Sequence, residues 1–335
     1  DGSDGDFRAS RGNFGLVWVQ SKGIGQPAYA RWTRRSAAAY RRFADELEAQ
    51  SGLDLALVQD GGYIVHMEED GLEHDRKLYE GLRENLGGDY PFECMGHGAL
   101  KSEEPNIGPK VAGALYCPED GHLNPLRLLQ ALAIAVRKRG GRVLPGHKVT
   151  GVAANGKGFA VSTAANTRCQ AEKVVLSAGL GAMELGPQLG FRAPIRPQQG
   201  QVLITEKMPK LMNRPNVEVR QVNEGGIQIG ASKAEAGLND QEDVRTVAEL
   251  AQHAVDMFPA LARAKLVRSW AALRIMSPDG LPVYQQSALY PGAYFVTCHS
   301  GITLSAAHSE FLGAWLTGAE DAPDLSAFSE DRFDV

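Results

Sequence analysis

The chain is poor in the features that announce metal, membrane or nucleic-acid chemistry. Its 4 cysteines, Cys94, Cys117, Cys169 and Cys298, lie far apart, and none sits at a CxxC or Cys/His ligand spacing. That scatter leaves the chain without a cluster-binding set of its own and fits a reduced, cytoplasmic setting. The 8 histidines show no ligand spacing either, which speaks against a metal enzyme. His66, His97, His122 and His147 read as bystanders in strands and loops. No stretch reaches the ~18 consecutive apolar residues that a membrane span needs. Basic charge is not blocked. The formal net charge is −5, and the densest basic run, RWTRRSAAAYRRF (31–43), is followed at once by Asp45, Glu46 and Glu48. That is the pattern of a solvated helix face, so nucleic acid is excluded as a partner. A nucleophile elbow and a Ser/His/Asp order are also missing.

What is present is an ordinary globular composition, 43% hydrophobic and 22% charged, in a chain of 335 residues. This suffices for one large domain or two interleaved ones with a sizeable core. Strand-like and helix-like segments alternate, which places the fold in the α/β or α+β class. The opening, DGSDGDFRASRGNFGLVWVQSKG (1–23), is rich in small residues and then apolar up to Lys22-Gly23, and it reads as an interior loop. LDLALV (53–58) and GYIVHM (62–67) flank QDGG and predict a β-hairpin. A helix is expected over 69–86 and a strand over 111–117. The clearest helix lies within 120–144, where Asn124 can cap it, Pro125 occupies its first position and Gly140-Gly141 end it. A hairpin follows over 147–154 and 158–163. EKVVLSAGLGAMELG (172–186) predicts a strand, a glycine turn and a helix. Three strands fall within 196–230, a helix at about 240–257, and a strand over AKLVRSWAALR. The end of the chain reads as a strand, a turn and a helix.

Four places could carry chemistry. Gly179 and Gly181 sit between a strand and a helix, where backbone N–H groups can face a phosphate. The spacing is not G-x-G-x-x-G, and a plain strand-to-helix turn uses glycine as well. His299-Ser300-Gly301 repeats the device before a helix starting at about Ile302. His299 is either catalytic or simply held in that turn. Arg274, at a strand end before Pro-Asp-Gly, suits a carboxylate clamp because a guanidinium presents a planar donor fork; a structural ion pair is the other reading. Arg220 alternates with Val217 and Val219 and points to a site cavity or to solvent.

FRASRGNFGLVWVQSKG, DGHLNPLRLLQAL, VVLSAGLG, QGQVLITE, LRIMSPDGLPVY and VTCHSGITLSAAH occur in this order along the whole chain. Together they resemble FAD-dependent oxidoreductases of the D-amino-acid oxidase and glycine oxidase superfamily. The branch they resemble holds the flavin subunits of hydrogen cyanide synthase, opine oxidase and hydroxyproline dehydrogenase. The resemblance implies a discontinuous Rossmann-like FAD-binding domain (1–30, 120–195 and 275–335) interleaved with a mixed-sheet substrate domain (31–119 and 196–274). It places Ala9, Ser10, Arg11, Gly12, Asn13 and Gly15 beside the flavin ring and Val149 near the adenine. Ser177, Gly179 and Gly181 would lie near the phosphates or ribityl chain. His299, Ser300, Gly301, Ile302 and Thr303 would bring backbone donors to the pyrimidine edge. Arg274, also a neighbour of the flavin, is the expected substrate clamp, with Arg220 second. Family members begin with a strand, a G-x-G-x-x-G turn, a helix and a second strand ending in a ribose-binding acid. This sequence contains no such unit, and the resemblance implies one, on a preceding fragment or a second chain, with residues 1–6 as the loop just beyond it.

The implied activity is oxidation of a C–N bond in an amino acid or amine, with a hydride passing to flavin N5 and water hydrolysing the imine. The implied setting is a dehydrogenase complex whose other subunits carry FMN or an iron–sulfur cluster and supply any membrane association. A free-standing oxidase making hydrogen peroxide, a non-catalytic scaffold subunit and a nicotinamide-dependent dehydrogenase built on SAGLGAMELG are the alternatives.

Overall fold

The strongest local signals become the longest elements. The computed structural model describes Gly2 and residues 9–156, 158–230 and 232–333. The proposed loop 1–6 therefore lies, Gly2 apart, outside the described residues. In chain order the elements are β1 (Leu16–Val17), α1 (Pro27–Ser51), β2 (Gly62–His66), α2 (Glu69–Asn85), β3 (Glu93–Gly96), α3 (His97–Glu103), β4 (Gly113–Cys117) and β5 (Gly121–His122). They continue with α4 (Pro125–Lys138), β6 (Val149–Asn155), β7 (Gly158–Thr163), β8 (Arg168–Ala171), β9 (Val174–Leu176), α5 (Ala182–Leu185), β10 (Arg196–Lys207), β11 (Val219–Gln221) and β12 (Gly226–Ile229). The last are α6 (Val244–Met257), β13 (Leu266–Met276), β14 (Val283–Gln286), β15 (Ala293–Thr297) and α7 (Gly301–Thr317). Helix α4 begins as its sequence demands, with Asn124 Oδ1 accepting from the N–H groups of Leu126 and Arg127 and Pro125 at the first position.

Two larger bodies emerge from the packing. In one, the sheet β2-β4-β3 and the sheet β11-β12-β10-β13 meet α6 over a core that includes Tyr63, Leu100, Leu203, Ile227, Met257 and Phe258. In the other, α1, α4 and α7 enclose the pair β1-β5, with Val17, Tyr40, Leu123, Leu128 and Ile302 buried together. The sheet β14-β15-β9, in which β9 runs parallel to β15, joins β6 and β7 around Phe159, Leu189, Val283 and Phe295. Each fully buried side chain of this size contributes about 1.5–3 kcal/mol by leaving water.

Helix α1 departs from the expected boundaries. It packs on α4 and α7 and shares their core, although residues 31–51 fall in the stretch assigned to the substrate domain. Its contacts with α7 are also polar. Ser36 Oγ donates to Thr303 O at 2.6 Å and accepts from Ala307 N–H, while Tyr40 Oη donates to Ile302 O at 2.8 Å. The N-terminal turn of α7 is thereby held from behind.

One local expectation fails, and one holds only in a short form. The hairpin over 53–58 and 62–67 does not form, because β2 pairs antiparallel with β4 instead. Asp54 Oδ1 accepts from Ala56 N–H and Ala56 takes a positive φ of 54°, so a side-chain turn interrupts the first segment. Only Val58 makes a bridge, and it goes to His122. The helix after Gly179-Leu180-Gly181 is four residues long, too short to build a dipole of consequence at the glycine turn.

Candidate active site

A cavity of about 460 Å³ opens where the segment from Ala9 to Lys22, the start of α4, strands β10 and β13 and the first turn of α7 converge. The opening segment can pass here because it lacks side chains where space is shortest. A Cβ on Gly12 would collide with the Cβ of Ala272 on β13, and the indole of Trp270 donates to Gly12 O at 3.3 Å. Gly15 has φ +89°, and a Cβ there would sit 2.5 Å from Leu123 O. Asn13 Oδ1 accepts from Gly15 N–H at 2.7 Å and sets the turn. Ala9, Ser10, Gly12 and Asn13 line the cavity. Arg11 and Gly15 do not, Gly15 being turned toward Leu123 and Pro125.

The second wall is the first turn of α7. The helix makes its first backbone bond from Leu304 N–H to Ser300 O, and no side chain caps it. The N–H groups of Gly301, Ile302 and Thr303 therefore stand at the cavity edge with the positive end of the helix dipole behind them. His299 and Ser300 line the same wall, and Tyr29 Oη donates to Ser300 Oγ at 3.1 Å, fixing the turn from α1. Thr303 Oγ1 accepts from Trp18 N–H at 3.0 Å, which welds β1 to α7. Burial pushes the His299 ring down to about 3, helped by the nearby Lys22, Arg274 and Lys233. A neutral imidazole can accept or donate one hydrogen bond but brings no cation of its own.

Arg274 lies on the cavity wall and Arg220 does not. The Arg274 guanidinium packs flat on Gly200, where a Cβ would collide with it, and Nη1 donates to Gln199 O (3.2 Å) and Ser232 O (2.8 Å). Burial lowers its pKa. Arg220 is only 3% exposed and points inward, away from solvent. Its Nε donates to Gln228 Oε1 at 2.9 Å, and its Nη1 reaches His122 Nδ1 and Leu123 O, both at 3.0 Å. Its guanidinium carbon stands 5.6 Å from the ring centre of Phe14, a residue that does line the cavity.

Val149 opens β6 and packs in the core around Phe159, off the cavity wall. Ser177, Gly179 and Gly181 are off the wall as well, although a Cβ on Gly179 would stand 3.4 Å from Ile275 Cδ1, and Ile275 lines the cavity. Two functional candidates escaped the sequence reading: Lys22 and Lys233 both line the cavity. Lys22 ends the apolar run of the opening segment, and that lone cation was the available signal.

Comparison with known proteins gives the family of the chain. The DAO family model, described as FAD dependent oxidoreductase, matches residues 1–315. The chain belongs to this family. It is 38% identical over 334 residues to an opine oxidase subunit of Agrobacterium tumefaciens, covering 99% of this chain and 90% of that protein. It is 30% identical to the HcnC subunit of hydrogen cyanide synthase from Pseudomonas aeruginosa, covering 97% and 79%. The fold matches the crystal structure of glycine oxidase from Geobacillus kaustophilus with a TM-score of 0.89 and 24% identity, over 98% of this chain and 89% of that one. The chain is thus a flavin-dependent oxidoreductase of the amino-acid and amine oxidase type, and FAD is its expected cofactor. The residues present fit a flavin: the small residues Ala9, Ser10 and Gly12 along one wall, and uncapped amide donors for a ring edge that gains negative charge on reduction. Among the described residues no helix is long and apolar enough to cross a membrane.

Proposed function

We propose that this chain oxidises the C–N bond of an amino acid or secondary amine to an imine, as the flavin subunit of a dehydrogenase complex. Bound in the cavity, FAD supplies the acceptor for the hydride leaving the amine-bearing carbon. The chain's own residues do the rest. Segment 9–13 and the amides of 301–303 position the ring, and Arg274 binds the substrate carboxylate, exchanging its bonds to Gln199 O and Ser232 O for charge-assisted ones. His299 accompanies them as a neutral polar group. The observation that carries the reading is Arg274 facing the same cavity as the uncapped first turn of α7.

Lys22, Lys233 and Arg274 line the cavity, and no carboxylate does so among the described residues. Their field disfavours a protonated amine and leaves the substrate nitrogen its lone pair, so a dedicated general base is unnecessary. Val149, Ser177, Gly179 and Gly181 would serve the adenine and phosphate end of the cofactor, a role favoured by the nearness of Gly179 to Ile275 of the cavity wall. The discontinuous division into an FAD-binding and a substrate unit belongs to the same proposal, with α1 moved to the FAD side. The two relatives named as subunits support a hetero-oligomer in which FMN or an iron–sulfur cluster on a partner takes the electrons.

The test is anaerobic bleaching of the flavin-loaded protein by a panel of amino acids and N-substituted amino acids. Bleaching by at least one is expected, with little hydrogen peroxide formed in air. Rapid peroxide formation would favour the free-standing oxidase, and a panel with no bleaching overturns the assignment.

A further inference from the structure

Three successive carbonyl groups in the first turn of α7 each take a hydrogen bond from a hydroxyl. Ser305 Oγ donates to Gly301 O at 2.7 Å, Tyr40 Oη to Ile302 O at 2.8 Å and Ser36 Oγ to Thr303 O at 2.6 Å. A helical carbonyl is satisfied by the N–H four residues on, so the fold does not require these donors. Ser36 also accepts from Ala307 N–H at 3.0 Å, which seats its hydroxyl in the helix ladder. Ser36 and Tyr40 stand four residues apart on one face of α1, and both are fully buried. Three alanines separate them, and an alanine and a phenylalanine in their places would pack the same core. Burial holds the Tyr40 hydroxyl well above its ordinary range, so it stays a donor.

Each carbonyl shares a peptide unit with the N–H of the next residue, and a bond to one strengthens the other as a donor. Ser305 thus acts on Ile302 N–H and Tyr40 on Thr303 N–H. Ser36 acts on Leu304 N–H, which donates to Ser300 O and so passes the polarisation to Gly301 N–H. Gly301, Ile302 and Thr303 are the residues of this turn at the cavity edge, and each amide has one hydroxyl behind it. We propose that Ser36, Tyr40 and Ser305 are positioning residues that strengthen these three amides, so that the site holds reduced FAD more tightly than oxidised FAD. The inference rests on the placement of the flavin ring at these amides in the reading above, and not on the substrate. The positive ends of the three hydroxyl dipoles point into the turn and add to the helix dipole, which favours the ring that has gained negative charge.

The test is the flavin midpoint potential, measured against redox dyes during anaerobic dithionite reduction of the flavin-loaded protein. Tyr40→Phe keeps the ring that packs on Phe43 and removes only the hydroxyl. It should lower the preference for reduced over oxidised FAD about tenfold, a midpoint about 30 mV lower for a two-electron couple. Ser305→Ala, at the cavity and outside the α1 core, should lower it severalfold. Ser36→Ala should have the smallest effect, because its influence travels through one further hydrogen bond. Tyr29→Phe is the control: its hydroxyl, on the same helix, donates to Ser300 Oγ rather than to a carbonyl, and the midpoint should not move. A midpoint unchanged in both Tyr40→Phe and Ser305→Ala, with both redox forms of FAD weakened alike, shows a merely structural role and overturns the inference. A shift in Tyr29→Phe as large as that in Tyr40→Phe overturns it as well. Bleaching by amines is scored separately. Bleaching with unmoved midpoints counts against the inference alone, and lowered midpoints with no bleaching by any amine support it and count against the oxidation assignment.

Discussion

Arg220 and Arg274 stand on opposite edge strands of one four-stranded sheet, β11 and β13, and both turn toward the interior. Their surroundings differ in kind. Arg220 donates to a side-chain carbonyl on the neighbouring strand and to an imidazole nitrogen and a main-chain carbonyl from one distant segment, and it packs against Phe14 and Gly15. It ties the opening segment to β5 and β12. Arg274 lies on a glycine and touches only carbonyl oxygens, which a carboxylate ligand can replace with a net gain. Burial alone does not separate a binding arginine from a structural one. Facing the cavity does: Arg274 lines it and Arg220 does not.

The contrast predicts opposite kinds of damage. Arg274→Gln should lower kcat/KM at least about 100-fold with an amino-acid substrate while flavin absorbance and thermal stability are retained, read by steady-state kinetics beside a flavin spectrum. Arg220→Met should cost about 2–4 kcal/mol in urea unfolding, because Gln228, His122 and the Leu123 carbonyl lose a buried donor together. Equal destabilisation by the two variants would break the contrast. A smaller effect sharpens it: Gly200→Ala places a methyl where the Arg274 guanidinium lies. It should raise KM by about tenfold with flavin content unchanged.

The smallest expected effect concerns the carboxyl beneath the lysine-bearing segment. Burial pushes Asp120 up to about 7, against hydrogen bonds from Val19 and Gln20 that pull it down. The folded chain therefore takes up this proton more readily than the unfolded one, whose aspartate titrates near 3.8. This group adds stability as the pH falls from about 7 toward 4, opposite to a salt-bridged aspartate. In urea unfolding at pH 8 and pH 5, Asp120→Asn should therefore gain most over the parent chain at pH 8. A stability difference that is the same at both pH values would show that Asp120 does not titrate in this window.

The legible part of the fold was local. The Asn124-Pro125 cap, the strand alternation over 196–230 and the strand–turn–helix around His299 each carry their cause in adjacent residues. The misread parts were set by partners far along the chain. LDLALV looks like a hairpin strand, but β2 finds its partner fifty residues later in β4. Helix α1 shows amphipathic spacing without saying that α4 and α7 will cover it. In the site, family motifs and small residues pointed to Ala9–Asn13 and to 299–303. A lone lysine carries no periodicity or spacing, so Lys22 and Lys233 stayed hidden.

By itself, then, the sequence determined the α/β class, the helix caps, the glycine-lined opening segment and the flavin family. These depend on backbone conformation and short-range patterns that neighbours in sequence impose. Only the tertiary structure decided which arginine faces the cavity, which one holds it together, and that two lysines join the first. Side-chain environment is a sum over residues brought together by folding, and burial, charge and hydrogen-bond supply do not exist until that sum is made.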